Sequence, residues 1–281
     1  DLLGPDPAGA GVAKADVIIE AIVENLEVKR KVFAKLEARA RPEAILATNT
    51  SSIPLEQIAS ALETPSRLVG IHFFNPVAQM MLVEVIRGAD TDPAIVRKAL
   101  AFVDQLDKLP LECKSAPGFW VNRILAPYLT EAMRCLDEGI APETIDEAAL
   151  AYGMPMGPVE LADVVGLDVC AAVGQVVGGE AALQNAPRTL AEKIEARQLG
   201  KKTGQGFYRW VEGKPQKATA GPVPPGLDLR LITPMLDEAE RALAEGVVAN
   251  ADLADAGAIF GSGFAPFRGG PINARRAAAA V

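Results

Sequence analysis

Gly70-Ile71-His72-Phe73-Phe74-Asn75-Pro76, with the acid that follows in Leu82-Val83-Glu84-Val85-Ile86, decides how this chain is read. His72 is the only histidine in 281 residues. The apolar run Arg67-Leu68-Val69-Gly70-Ile71 before it predicts a buried strand. Met80-Met81-Leu82-Val83-Glu84-Val85-Ile86 predicts another, with a carboxylate in its middle. A buried glutamate is costly without a partner. An imidazole is a natural one, and a His–carboxylate pair sets a base that works near neutral pH. A satisfied core histidine beside an unrelated glutamate fits the same spacing.

Outward from this pair, strand and helix alternate. Asp16-Val17-Ile18-Ile19-Glu20-Ala21-Ile22 is a β-branched run of the kind buried in parallel sheets. Residues 26–40 carry Leu26, Val28, Val32, Phe33 and Leu36 at helical spacing. Ala44-Ile45-Leu46-Ala47-Thr48 predicts a second strand, with Asn49-Thr50-Ser51-Ser52 at its end. Pro54 is expected to open a helix, with Ser52 as its N-cap and Glu56 in its first turn. After the Glu84 strand come a helix over 93–106 and a strand over 109–113. Alternation of this kind predicts a sheet with crossover helices, and in such sheets ligands sit beyond the strand C-termini. Asn49, Ser51, His72 and Asn75 all fall at or just after those ends, although Asn, Thr and Ser are also ordinary turn residues.

The start, residues 1–14, reads as a loop or frayed segment. Its Gly9-Ala10-Gly11 is rejected as a phosphate loop, because such a loop needs a strand before it and a helix after it. Beyond Lys114 the pattern turns helical, with helices predicted from near Phe119 to 136, over 142–152, 158–174 and 187–198. The expected organisation is an incomplete Rossmann-like α/β domain over 1–114 and a helical domain over 115–211. A Pro-, Gly- and Lys-rich linker follows over 212–226, and a second helical copy over 227–281.

The second copy rests on an internal repeat. Pro127-Tyr128-Leu129-Thr130-Glu131-Ala132-Met133-Arg134-Cys135-Leu136-Asp137-Glu138-Gly139 matches Pro234-Met235-Leu236-Asp237-Glu238-Ala239-Glu240-Arg241-Ala242-Leu243-Ala244-Glu245-Gly246. With one residue inserted, the match is expected to continue from Gly153-Met154-Pro155-Met156-Gly157-Pro158 to Gly261-Ser262-Gly263-Phe264-Ala265-Pro266. The second copy is expected to be truncated, and the two copies to pack on each other as two subunits of a dimer would.

Composition narrows the function. The chain is 49% hydrophobic and 23% charged, enough to bury a core. A net charge of −8 argues against nucleic acid or an anionic membrane as partner. Cys113, Cys135 and Cys170 are scattered and odd in number, which argues against zinc and a disulfide framework and for a reducing, cytoplasmic setting. No apolar run reaches the length of a membrane span. The chain begins at Asp1 without Met or a leader-like segment and is expected to be part of something longer.

Taken together, these stretches resemble the L-3-hydroxyacyl-CoA dehydrogenase family. The motifs are Glu20-Ala21-Ile22-Val23-Glu24-Asn25-Leu26, Thr48-Asn49-Thr50-Ser51-Ser52, and His72-Phe73-Phe74-Asn75-Pro76 with Glu84. Further on stand Lys114 with Pro117-Gly118-Phe119 and Val121-Asn122-Arg123, then 153–158, then Gly200-Lys201-Lys202-Thr203-Gly204 with Phe207-Tyr208. They run in family order over about residues 15–210. The second helical copy is like that in multifunctional fatty-acid oxidation α-subunits. The resemblance implies NAD as cofactor, and oxidation of an L-3-hydroxyacyl-CoA to a 3-ketoacyl-CoA. It implies His72 as base, Glu84 as its carboxylate partner, and Ser51 and Asn122 as polar groups near the substrate oxygen and the nicotinamide. It places Glu24, Lys29, Asn49, Ser51, Asn75 and Lys202 at the cofactor. It also implies a thiolase subunit, an upstream enoyl-CoA hydratase domain and a dimeric arrangement as partners. The family's GxGxxG turn is missing from this chain, which implies weak cofactor binding by this stretch alone. Two alternatives stay open: a single-function 3-hydroxybutyryl-CoA dehydrogenase, and a non-catalytic assembly fragment.

Overall fold

A computed structural model describes residues 3–279, as two compact units that divide between Phe119 and Trp120. The first unit is built on a five-stranded sheet: β1 (Val17–Glu20), β2 (Ile45–Thr48), β3 (Leu68–Phe73), β4 (Leu82–Arg87) and β5 (Leu109–Lys114). The strands lie in sequence order. β1, β2 and β3 are parallel, β3 and β4 are antiparallel, and β4 and β5 are parallel again. Helix α1 (Leu26–Glu37) crosses from β1 to β2, α2 (Leu55–Ala59) lies between β2 and β3, and α3 (Pro93–Gln105) crosses from β4 to β5. The antiparallel step follows from the short segment between β3 and β4. It holds no helix, and a parallel return needs a crossover of a dozen or more residues.

The caps are written in the sequence. Asn25 accepts a hydrogen bond from Val28 N (3.1 Å) at the start of α1, and Asp92 one from Ala94 N (2.7 Å) at the start of α3. Ile95, Val96, Ala99 and Val103 of α3 pack on Ile71, Val83 and Val85 to form the core under the site. Two expectations are corrected. Ser52 does not cap α2, which is only five residues long; its hydroxyl donates to Glu24 Oε1 instead (3.1 Å). The start is not wholly a loop: Ala10–Lys14 forms a 3-10 turn, held by Gly11 N donating to Asp6 and Arg39 donating to the Ala8 carbonyl. Residues 1–2 and 280–281 lie outside the described residues.

The second unit is helical. It comprises α4 (Val121–Asp137), α5 (Pro142–Tyr152), α6 (Pro158–Val165), α7 (Leu167–Gln184) and α8 (Arg188–Glu195), then a hairpin of β6 (Arg209–Val211) and β7 (Lys214–Gln216), then α9 (Leu227–Ala244), α10 (Ala251–Ser262) and α11 (Pro271–Ala279). The helix predicted over 158–174 is broken in two at Gly166, whose φ of 103° with ψ of 127° no helix accommodates. The predicted linker is not free. Residues 214–216 form β7, Lys217 bridges Asp146 (2.8 Å) and Glu160 (2.7 Å), and Gly221 N donates to Thr144 Oγ1.

α4 and α9 pack along each other, and each carries a proline at the same place, Pro127 and Pro234. Beyond them the expected register of the repeat is corrected. The residue that ends α5 in the left-handed conformation is Gly153, and its counterpart after α10 is Gly263, not Gly261. Likewise Gly157-Pro158 at α6 corresponds to Gly270-Pro271 at α11. Among the described residues, no single helix is long and apolar enough to cross a membrane.

Candidate active site

The spacing of His72 and Glu84 is a consequence of sheet register. In the antiparallel β3–β4 pair, His72 lies directly opposite Glu84, and Phe73 opposite Val83. Directly opposed residues project to the same face. His72 Nδ1 and Glu84 Oε2 are 2.7 Å apart, with Glu84 fully buried and His72 nearly so. Two residues before His72, Gly70 opposes Ile86, and a Cβ there would meet the Ile86 side chain at 2.8 Å. The glycine therefore lets the strands pack closely behind the pair. A carboxylate only accepts, so the Nδ1 that faces it carries the hydrogen, and Nε2 is left to take a proton.

Around the C-terminal ends of β1 and β2 a second set of polar groups converges. Glu24 Oε1 accepts from Ser51 N (3.1 Å), Ser52 N (3.3 Å) and Thr50 Oγ1 (2.5 Å). Lys29 lies behind it, 1% exposed, with its ammonium 2.7 Å from Glu20 Oε1 and 3.2 Å from Glu24 Oε2. Burial raises the Glu24 carboxyl, but the Thr50 hydroxyl, the Lys29 ammonium and the Ser51 amide outweigh it and hold the group below the ordinary carboxylate range. Asn49 Oδ1 accepts from Phe73 N (2.9 Å), which ties the end of β2 to the residue after His72. Asn75 is exposed, just past β3.

Of the residues expected at the cofactor, the structure thus joins Glu24, Lys29 and Ser51 in one hydrogen-bonded group. Asn49 is bonded to the strand that carries His72. Asn122 and Lys202 belong to the second unit: Asn122 lies in the first turn of α4, and Lys202 Nζ pairs with Asp168 Oδ1. Sequence reasoning missed Glu20. Buried in β1, it accepts from Lys29 Nζ, Thr48 Oγ1 (2.8 Å) and Ile22 N (2.7 Å). The signal was available, because Glu20 interrupts an apolar strand just as Glu84 does. Cys113 is no nucleophile: burial, and then the charge of Glu84, push its thiol well above its ordinary value.

The chemistry of this rim fits the hydroxyl-rich part of a dinucleotide. A half-exposed carboxylate offers acceptors to sugar hydroxyls, and Ser51 and Asn75 stand at the ends of parallel strands, where such ligands bind. A pyrophosphate cradle of strand, glycine-rich turn and helix does not occur among the described residues; Gly9 leads only into the 3-10 turn, ahead of β1. Among the described residues, no group of three His, Cys, Asp or Glu is placed to hold a metal ion.

A mostly parallel α/β sheet with a buried His–Glu pair at its strand ends, followed by a helical unit, defines a two-part protein, α/β and then all-α. The chain belongs to the 3-hydroxyacyl-CoA dehydrogenase family. The family models for the NAD binding domain and the C-terminal domain match residues 5–116 and 118–210. The fatty acid oxidation complex subunit alpha of Vibrio cholerae is 40% identical over 277 residues, which cover 94% of this chain and 39% of that subunit. The chain therefore spans about two fifths of the length of the curated relatives it matches. Among solved structures, 3-hydroxybutyryl-CoA dehydrogenase from Escherichia coli is 30% identical, with a TM-score of 0.79, over 93% of this chain and 74% of that one. (S)-3-hydroxybutyryl-CoA dehydrogenase from Ralstonia eutropha is 40% identical, with a TM-score of 0.67, over 72% of each chain.

Proposed function

We propose that this chain carries the catalytic base of an NAD-dependent L-3-hydroxyacyl-CoA dehydrogenase acting in fatty-acid β-oxidation. The observation that carries the reading is the buried His72–Glu84 pair, 2.7 Å apart at the C-terminal end of the sheet. His72 Nε2 takes the proton of the C3 hydroxyl as that carbon is oxidised. Such general-base help is worth ~100- to 10,000-fold in rate. Glu84 fixes the tautomer and stabilises the imidazolium as it forms. Ser51 donates to the developing carbonyl oxygen, which also orients C3. NAD, when bound, supplies the hydride acceptor, with Glu24, Asn49, Ser51 and Asn75 as its contacts and Lys29 acting through Glu24. Asn122, as a second donor to the oxygen, and Lys202, as a further cofactor contact, are carried into this reading by family resemblance alone.

The same reading places the chain in a multifunctional assembly, with an enoyl-CoA hydratase domain and a thiolase subunit as partners, and in the cytoplasm. Three free thiols support the reducing compartment. A preference for the shortest substrates is the second reading, supported by the 3-hydroxybutyryl-CoA dehydrogenases among the similar structures.

The test is NADH oxidation with acetoacetyl-CoA and with longer 3-ketoacyl-CoA substrates. Three proteins are compared: this chain, an upstream-extended chain, and the extended chain with His72→Ala. Turnover by the extended wild type, abolished by His72→Ala, is the expected result. An extended chain that binds NADH yet turns over none of the substrates sinks the reading and favours an assembly role.

A further inference from the structure

Two phenyl rings meet the imidazole of His72 edge to face. The ring of Phe74 is 4.6 Å away between centroids, at 62°, and that of Phe119 is 5.8 Å away, at 60°. Phe119 is fully buried, yet its backbone is left-handed, with φ of 53°, directly after Gly118 at φ 73°. A bulky L-residue rarely adopts that conformation, and one that does is held there by its surroundings. Here the hold is a turn bond from Phe119 N to the Ala116 carbonyl (3.0 Å) and the burial of the ring against His72. The turn that carries Phe119 thus delivers an aromatic wall to the imidazole at the cost of an unfavoured backbone.

The wall has a job that the hydrogen bond cannot do. The bond to Glu84 fixes the imidazole at one atom, Nδ1. Rotation about the Cβ–Cγ bond would exchange Nδ1 for a ring carbon and turn Nε2 away. Edge-to-face contacts at these separations are directional; two of them fix the plane of the small ring and obstruct its rotation, while the Glu84 bond selects which of the two settings in that plane is kept. We propose that Phe74 and Phe119 are positioning residues, which hold the His72 ring with Nδ1 on Glu84 and Nε2 presented for proton transfer. The effect on rate rests on the dehydrogenase reading above; the orientation of the ring does not, and is measured separately.

A single histidine makes the measurement direct. The full chain labelled with 15N-histidine gives one Nδ1 and one Nε2 resonance, whose shifts report the tautomer and whose widths report ring exchange. The variants are Phe119→Leu, Phe74→Leu and, as control, Phe33→Leu, which loses a fully buried ring on α1. The wild type and Phe33→Leu are expected to show one sharp Nδ1-protonated pattern. Phe119→Leu and Phe74→Leu are expected to show broadened or averaged nitrogen shifts at a comparable loss of thermal stability. In the form that turns over, kcat should fall ~10- to 100-fold in both, with KM within about twofold of wild type. Wild-type nitrogen patterns in Phe119→Leu and Phe74→Leu overturn the proposal. If Phe119→Leu does not fold, Phe74→Leu, at a half-buried position, carries the same test. Altered nitrogen patterns alongside an upstream-extended wild type that binds NADH but turns nothing over support the positioning and overturn the dehydrogenase reading instead.

Discussion

Glu84 and Glu20 each interrupt an apolar run, and the fold pairs them with different nitrogen partners. Lys29 sits buried between Glu20 and Glu24, so the Glu20–Lys29 pair ties β1 to α1. His72 meets Glu84 through Nδ1 and keeps a second ring nitrogen, Nε2, for a substrate proton, so the Glu84 pair can take part in a reaction. Glu84→Gln keeps the size of the side chain and removes its charge; kcat should fall ~100-fold or more while the urea midpoint stays close to wild type. Steady-state turnover beside urea unfolding checks both halves. Lys29→Met leaves two carboxylates facing each other with no cation and should cost about 3–5 kcal/mol in urea unfolding, much of it recovered by adding Glu20→Gln. Glu24 gives a pH signature. Its carboxyl is held low in the folded state, so below the ordinary value of 4.5 the unfolded chain binds more protons. Its contribution is therefore present above that pH and lost below it, and the melting temperatures of wild type and Glu24→Gln should converge as pH falls through that range. The His72–Glu84 pair was legible because an acid in an apolar run demands a partner. Lys29 was legible only through the family resemblance, because a lysine on an amphipathic helix reads as solvated until the strand beside it is known to present Glu20.

Each helical copy uses one device to join its second and third helices. Asp146 of α5 accepts from Val159 N (2.8 Å) and Glu160 N at the start of α6, and Asp255 of α10 accepts from Ile272 N (2.7 Å) and Asn273 N at the start of α11. Both carboxylates come so close that the preceding glycine cannot carry a side chain. A Cβ on Gly157 would lie 2.2 Å from Asp146, and one on Gly270 would lie 2.3 Å from Asp255. Gly157→Ala should therefore destabilise by about 2–3 kcal/mol. Gly174→Ala, in α7 with nothing within 4 Å of the added Cβ, should be neutral or stabilise by about 0.5–1 kcal/mol. Thermal melts of the two variants set this contrast. The helices of the repeat could be read from periodicity, but their register could not. Matching glycine to glycine chose Gly261, whereas the glycine that ends the helix in the left-handed conformation is Gly263. Gly166 misled in the opposite sense, since a lone glycine in a long apolar pattern reads as tolerated within a helix and here ends one.

Across the helical unit, α4 and α9 are laced by ion pairs that repeat reciprocally between counterpart residues. Arg123 donates to Glu238 (2.6 Å) and Glu245 (2.7 Å), and its counterpart Arg230 donates to Glu131 (2.7 Å) and Glu138 (2.6 Å). Arg134 and Arg241 extend the two halves in the same way. The geometry is matched, but the burial is not: the Arg123 side chain is 9% exposed and that of Arg230 39%. Each deletion strands one buried carboxylate, Glu238 or Glu131, but water takes the place of the half-exposed Arg230 more readily than that of the buried Arg123. Arg123→Ala should cost about 3 kcal/mol. Arg230→Ala should cost less, about 1–2 kcal/mol, because the site it leaves is already open to water; urea unfolding of each distinguishes them. The repeat announced the pairing of the helices, but it could not announce this inequality, because counterpart residues read alike until their surroundings are known. Tethering the two copies in one chain also changes what dilution can do. A pair held between separate subunits comes apart as protein concentration falls, while a pair joined through residues 212–226 meets itself at a fixed local concentration. The α4–α9 seam should therefore melt at the same temperature in a dilute solution as in a concentrated one.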